Sequence, residues 1–188
     1  HALGASLLDR TICSSAGGEG LRLSMGASIG MDSEAVEGAK LILLWGTNPV
    51  TSHVHLWAKI QKAKRAGAVL WDIDPFRSDS AEKCHHHLAL RPGTDVALAY
   101  AIAHVLQRDG LLDHDYIDKY TKDADRFLAV AAEWPPARAA EWCGVAEAQI
   151  EALASAYGST RPAAIRLNYG MQRHASGGDA VRAVMALP

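Results

Sequence analysis

The stretch "LILLWGTNPVTSH", Leu41–His53, decides the fold. Leu41–Trp45 is a short continuous apolar run of the kind a strand buried on both faces requires. It stops at Gly46, and the next residues, Thr47, Asn48 and Pro49, are small or turn-forming. From Ser52 to Arg65 the pattern turns helical, with Val54, Trp57, Ala58 and Ile60 mostly on one stripe. Lys62, Lys64 and Arg65 suit the negative end of that helix dipole, and Gly67 supplies a stop.

The alternation continues outward. Asp32–Ala39, before the first strand, reads as a short helix with an Asp or Ser cap. Ala68–Ile73 ("AVLWDI") is a second strand and His87–Leu90 ("HLAL") a weaker third. Thr94 or Asp95 caps a helix running through Arg108, with Leu98, Ala99, Ile102 and Leu106 facing inward and Gly110 ending it. Asp113 to Trp134 reads as smaller helices closed by Pro135 and Pro136. Ala146–Tyr157 is a helix with Gly158 as its stop, Ala163–Leu167 a further strand, and Gly178 starts a final helix. Strands alternating with helices predict an α/β fold: a mostly parallel sheet flanked by helices in three α/β/α layers. Right-handed crossovers then bring every strand's C-terminal end to one edge.

Composition narrows the function. The 188 residues are 49% hydrophobic and 21% charged, enough for an ordinary core, with a formal charge of -2. Nothing in that balance offers a phosphate-backbone footprint, which argues against nucleic acid as a partner. No apolar run approaches a membrane span, and neither a secretory nor a twin-arginine signal is visible. The chain opens without Met and closes within an apolar helical pattern, so it reads as a fragment of a larger subunit. The compartment stays open for that reason, with the cytoplasm favoured over the periplasm. Cys13, Cys84 and Cys143 are far apart and form no CxxC pair. That argues against a disulfide scaffold and against a zinc or iron–sulfur site built by this chain alone.

Polar residues collect after each strand. "GTNPVTSH" follows the first, "DPFRS" (Asp74–Ser78) the second, "RPGTD" (Arg91–Asp95) the third and "NYGMQRHASGG" (Asn168–Gly178) the last. Ligands of open α/β sheets sit beyond these strand ends. Glycines let backbone amides approach a phosphate, and helix starts point their positive ends the same way. Asp74 or Asp95 could accept from a guanine edge or a ribose; Arg77, Arg91 or Arg173 could pair with phosphates. Taken singly each cluster is a turn, Asp95 a helix cap and Arg77 a surface cation. Four clusters on one edge favour a nucleotide-like ligand. "CHHH", Cys84–His87, alternates its side chains between faces and reads as structural rather than metal-binding. The tryptophans at 45, 57, 71, 134 and 142 read as core or interdomain packing. Cys13, in "RTICSSAGG", is a lone thiol in a Ser/Gly-rich segment whose amides could stabilise a thiolate.

Together "CSSAG", "WGTNPVTSH", "DIDPFRSDSAEKCHHHLALRPGTDVALAYAIAHVL" and "LNYGMQRHASGGDAVRAVMALP", in this order, resemble the molybdopterin oxidoreductases of the dimethyl sulfoxide reductase and formate dehydrogenase type. The resemblance covers nearly all of the chain and is most specific from Trp45 through Leu106. It implies Rossmann-like dinucleotide-binding layers, with a first unit over 33–110 and a helical insert plus the start of a second unit over 111–188. It also implies a bis(molybdopterin guanine dinucleotide) cofactor carrying Mo, or W in its place. Gly46, Thr47, Asn48, Ser52 and His53 would contact one dinucleotide. Asp74, Pro75, Arg77, Arg91, Gly93 and Asp95 would hold its guanosine end. Gly170, Met171, Gln172 and Arg173 would contact the other. Cys13 would be the protein ligand of the metal, which would cycle between Mo(VI) and Mo(IV) with oxygen-atom or hydrogen transfer to a small-molecule substrate. An electron-transfer protein or subunit and a [4Fe–4S] cluster in a domain N-terminal to this chain would complete the path. Formate dehydrogenases carry His directly after the metal ligand; Ser14 stands here and argues against formate. Two other readings share the strand–helix alternation. One is a structural subunit such as the large iron–sulfur subunit of NADH dehydrogenase, the other a thiamine-enzyme-like middle domain. Cys13 and the intact "GTNP", "RPGTD" and "GMQRH" clusters favour the enzyme.

Overall fold

Four parallel strands form one sheet in the computed structural model, which describes residues 3, 4, 6 and 14–188. They are β1 (Leu41–Trp45), β2 (Val69–Ile73), β3 (His86–Leu88) and β4 (Ala163–Leu167), in the order β3-β2-β1-β4. β1 is central, with Leu41 opposite Val69 on one side and Ala163 on the other. All five of its residues are buried, which is why the apolar run is unbroken.

The helices are α1 (Ser15–Met25), the single turn α2 (Pro49–Ser52), α3 (Val54–Arg65), α4 (Asp95–Arg108), α5 (His114–Tyr120), α6 (Ala124–Ala132), α7 (Pro136–Cys143), α8 (Glu147–Ser159) and α9 (Gly177–Met185). Strand pleating sends alternate side chains to opposite layers. Ile42, Leu44 and Leu70 pack with Leu56 and Ile60 of α3. Leu41, Leu43, Trp45, Trp71 and Ile73 pack with Leu98, Ile102 and Val105 of α4, and with apolar residues of α7, α8 and α9. The chain steps from β1 to β2 to β3 in one direction and then returns past β1 to β4. Helices on opposite faces before and after that reversal are what crossovers of one hand require.

Several local expectations need correcting. The Ser52–Arg65 helix is two pieces, broken at His53, and its inward stripe is Leu56, Ile60 and Ala63 while Val54 is exposed. Position over the sheet, not hydropathy alone, chose that stripe. Asp32–Ala39 is a 3-10 turn at Ala35–Gly38, started by Asp32 Oδ1 accepting from the Glu34 amide. Pro136 opens α7 instead of closing a helix, since its missing N–H is one the first turn leaves unused. Gly158 lies inside α8, where a Cβ would come 2.7 Å from Leu111 Cδ1; it spaces helices and stops none. α1 was not foreseen, because Gly17, Gly18 and Gly20 depress helix propensity. Close packing on α9 compensates, for a Cβ at Gly20 would lie 2.7 Å from the Gly178 carbonyl oxygen.

The histidine run has separate structural tasks. His85 Nδ1 accepts from the Leu70 amide at 2.9 Å, His86 stacks on Trp71, and His87 Nε2 donates to the Asp74 carbonyl at 2.8 Å. Cys84 is half-buried, and desolvation pushes its thiol up to about 12, which disfavours the thiolate. Trp45 and Trp71 are core residues, whereas Trp134 and Trp142 meet edge to face on the α6–α7 flank.

Candidate functional site

The reversal of strand order falls between β1 and β4, and that is where a doubly wound sheet opens its ligand crevice. Here the two strand ends are joined by backbone alone. Asn168 N–H donates to the Trp45 carbonyl and Gly170 N–H to the Gly46 carbonyl, both at 3.2 Å. Gly46 has φ +58°, and a Cβ there would stand 2.8 Å from the Met171 nitrogen. A Cβ on Gly170 would stand 2.6 Å from the Gly46 oxygen. Only glycine permits this approach, and it leaves a cleft of about 260 Å³.

Gly46, Asp74, Pro75, Gly93, Asp95, Gly170 and Met171 line that cleft, as do Ile73, Pro92 and His174. Asp95 is buried; its Oδ1 accepts a 2.7 Å hydrogen bond from Trp45 Nε1, and its Oδ2 lies 3.8 Å from His174 Nε2. Burial raises the Asp95 pKa, and the Trp45 hydrogen bond opposes that rise. Asp95 is thus not the helix cap. It is the first residue of α4, while Thr94 holds the cap position and donates its hydroxyl to the Arg91 carbonyl. Asp74 Oδ1 accepts from the Phe76 amide at 2.9 Å, fixing the turn after β2. Gly93, at φ +81°, brings its backbone against the His174 ring. His174 Nε2 is buried without a hydrogen bond among the described residues, and Nδ1 is 3.3 Å from Ser176 Oγ. Two tethered carboxylates, one imidazole and three glycine backbones therefore line a common space that suits a polar ligand carrying N–H or O–H donors.

A profile of the family described as molybdopterin oxidoreductase matches residues 10–188. The chain belongs to the molybdopterin oxidoreductase family. It is 36% identical over its whole length to "Probable oxidoreductase YoaE" of Bacillus subtilis (strain 168), spanning 28% of that protein. Over 82% of its length it is 32% identical to the F420-dependent formate dehydrogenase subunit alpha of Methanocaldococcus jannaschii, spanning 23% of it. Among solved structures, acetylene hydratase from Pelobacter acetylenicus superposes with a TM-score of 0.82 at 23% identity. That match covers 94% of this chain and 24% of the other, and shows the fold. The chain thus spans about a quarter of the relatives' length. This family implies a molybdenum–pterin cofactor. The cleft beside the Gly46–Gly170 backbone joint, and the buried His174 Nε2 that has no hydrogen bond among the described residues, fit such a group.

The other expected residues, Thr47, Asn48, Ser52, His53, Arg77, Arg91, Gln172 and Arg173, are not among those that line the cleft of this molybdopterin-family chain. Thr47 is buried, and its Oγ1 has no hydrogen-bond partner among the described residues. Asn48 Oδ1 accepts from Ser80 Oγ at 2.6 Å, and Ser52 Oγ donates to the Asn48 carbonyl, so both shape the turn after β1. His53 is exposed at the break before α3, and Arg77 is exposed on the loop after β2. Arg91 donates to the carbonyls of Glu141 and Trp142, placing its charge at the negative end of α7. Gln172 is buried, its Oε1 accepting from the Gly17 amide, and Arg173 is exposed beside it. Cys13 lies outside the described residues. Among those residues no three His, Cys, Asp or Glu side chains come together to hold a metal, and no helix is long and apolar enough to cross a membrane. Sequence reasoning missed His174, Pro92 and Ile73 as cleft residues. For His174 a signal existed, an imidazole within a post-strand glycine cluster, but its nearness to Asp95 is set by the sheet.

Proposed function

We propose that the protein containing this chain is a molybdenum oxidoreductase in which this chain holds part of a bis(molybdopterin guanine dinucleotide) group, with Cys13 as its protein ligand. The observation that carries this reading is the glycine-walled cleft at the strand reversal, with Asp95 anchored inside it by Trp45. Asp95 Oδ2 and Asp74 would accept from the guanosine end, as carboxylates do from a guanine N–H edge. Gly46, Gly93 and Gly170 would let phosphates and ring edges reach backbone. Arg77 and Arg173 would neutralise phosphate charge from the exposed rim, and Met171 would pack against a pterin face. Thr47, Asn48, Ser52 and His53 would shape and finish the first dinucleotide contact, with Pro75 and Arg91 holding the second and third loops in place. When bound, the metal supplies two-electron chemistry with oxygen-atom or hydrogen transfer to a small-molecule substrate, and tungsten can serve the same ligand set. The protein orients the group, donates the thiolate and controls access. Electrons would pass through a [4Fe–4S] cluster elsewhere in the longer protein to a redox partner. The units over 33–110 and 111–188 would each contribute one wall, joined by the β1–β4 pairing.

The test is metal and nucleotide content of the full-length protein expressed anaerobically with molybdate. Molybdenum with about two GMP released per metal on acid hydrolysis is the expected result for a bis-dinucleotide group. A folded protein with neither would instead favour a structural subunit of the same fold. Cys13→Ala should abolish turnover in that protein without unfolding it, and unchanged turnover would remove Cys13 from the metal.

A further inference from the structure

Helix α1 begins two residues after Cys13, and its first turn leaves backbone N–H groups without helical partners. The usual remedy is absent here, since Ser14 at the cap position makes no side-chain hydrogen bond to the helix. The acceptor comes instead from 155 residues away: Gly17 N–H donates to Gln172 Oε1. The fit is tight on both sides. A Cβ at Gly17 would fall on the Gln172 amide, 2.8 Å from its Cδ, and a Cβ at Gly20 would strike the Gly178 carbonyl at the start of α9. Gln172 is itself only 7% exposed, so its amide is committed to the interior. Its neighbours face the other way: Met171 and His174 line the cleft.

We infer that Gln172 is a positioning residue. From the loop after β4 it caps α1 and locks the helix that follows Cys13 to the same loop that forms one wall of the cleft. This rests on the proposed role of Cys13 as metal ligand. A thiolate that must meet a metal held by a dinucleotide needs its backbone tied to the dinucleotide site, and one loop here serves both.

Amide exchange and thermal melts of the full-length protein test this, alongside its molybdenum and GMP content. Gln172→Ala should speed exchange of the Gly17 amide about tenfold, as expected on losing a buried hydrogen bond. Gln172→Glu keeps an acceptor and should restore protection; a Gln172 that acted by donating to the cofactor would not be rescued this way. Gly17→Ala should lower the melting temperature in the parent. In the Gln172→Ala background the methyl has room, so its effect should fall to less than about half. The Mo(V) resonance of the loaded enzyme should shift in Gln172→Ala and return in Gln172→Glu. In a protein loaded with metal and GMP, an unchanged Gly17 exchange rate in Gln172→Ala, or additive effects of the two substitutions, overturns the positioning role alone. A parent protein without metal and GMP overturns the proposed function, and the purpose of the clamp with it.

Discussion

Asp72 and Asp95 are both buried carboxylates, and their surroundings treat them in opposite ways. Asp72 sits within β2, fully buried, and neither of its oxygens has a hydrogen bond among the described residues. Burial, helped by the nearby charge of Asp74, raises its pKa from an ordinary 3.8 to about 7. Asp95 sits just past a strand end with one oxygen held by Trp45 and the other turned toward His174 and the cleft. Burial pushes its pKa up too, but Trp45 works against the rise and fixes its orientation. An acid inside a strand is best accommodated neutral. An acid at the strand end, with a dedicated donor, is preorganised to accept from a ligand. Burial alone does not separate the two; the partner does.

The comparison can be broken at three places. Asp95→Lys should have the largest effect, on the order of 3–5 kcal/mol of lost stability, because it buries a cation against the Trp45 N–H. GMP retention should fall with it, and normal GMP content would remove Asp95 from the nucleotide site. Asp72→Asn should do the reverse. The native state keeps the Asp72 proton up to about pH 7, while the unfolded chain releases it near 3.8. Stability is therefore lost as pH rises between those values, and the isosteric amide should recover on the order of 2–4 kcal/mol at pH 8 and almost nothing near pH 4. Denaturant unfolding at both pH values measures it. Trp45→Phe should be the mildest, costing about 1–3 kcal/mol by leaving Asp95 Oδ1 without its donor. Its signature is a destabilisation that grows as pH rises, since the unpaired group is worse off ionised.

What could be read from sequence follows the range of the interaction that decides each feature. The β1 boundaries match the continuous apolar run Leu41–Trp45 and the β4 boundaries match Ala163–Leu167, apolar but for Arg166, because such a run is a local signal. The glycines and acids after the strands were equally plain as turn chemistry, and Gly46, Asp74, Gly93, Asp95 and Gly170 do meet at one cleft. α1 and α7 were hidden for opposite reasons. In α1 packing on α9 overrides three glycines, and at α7 a proline pair that resembles a stop is a start. Trp45 with Asp95, Arg91 with the end of α7 and Gln172 with Gly17 are long-range pairings, and nothing in any one of those segments announces its partner.

The backbone joint between Gly46 and Gly170 also sets an order of events. The two lips of the cleft meet only when β4 docks against β1, and most of the chain lies between them. During synthesis β1, α3 and β2 can pair as soon as they emerge, but loop closure on the larger scale comes late and slowly. A ligand that needs both lips finds nothing to bind on the growing chain. Capture of such a ligand would in this sense wait on the pairing of β4 with β1, which only a chain made through Leu167 can form.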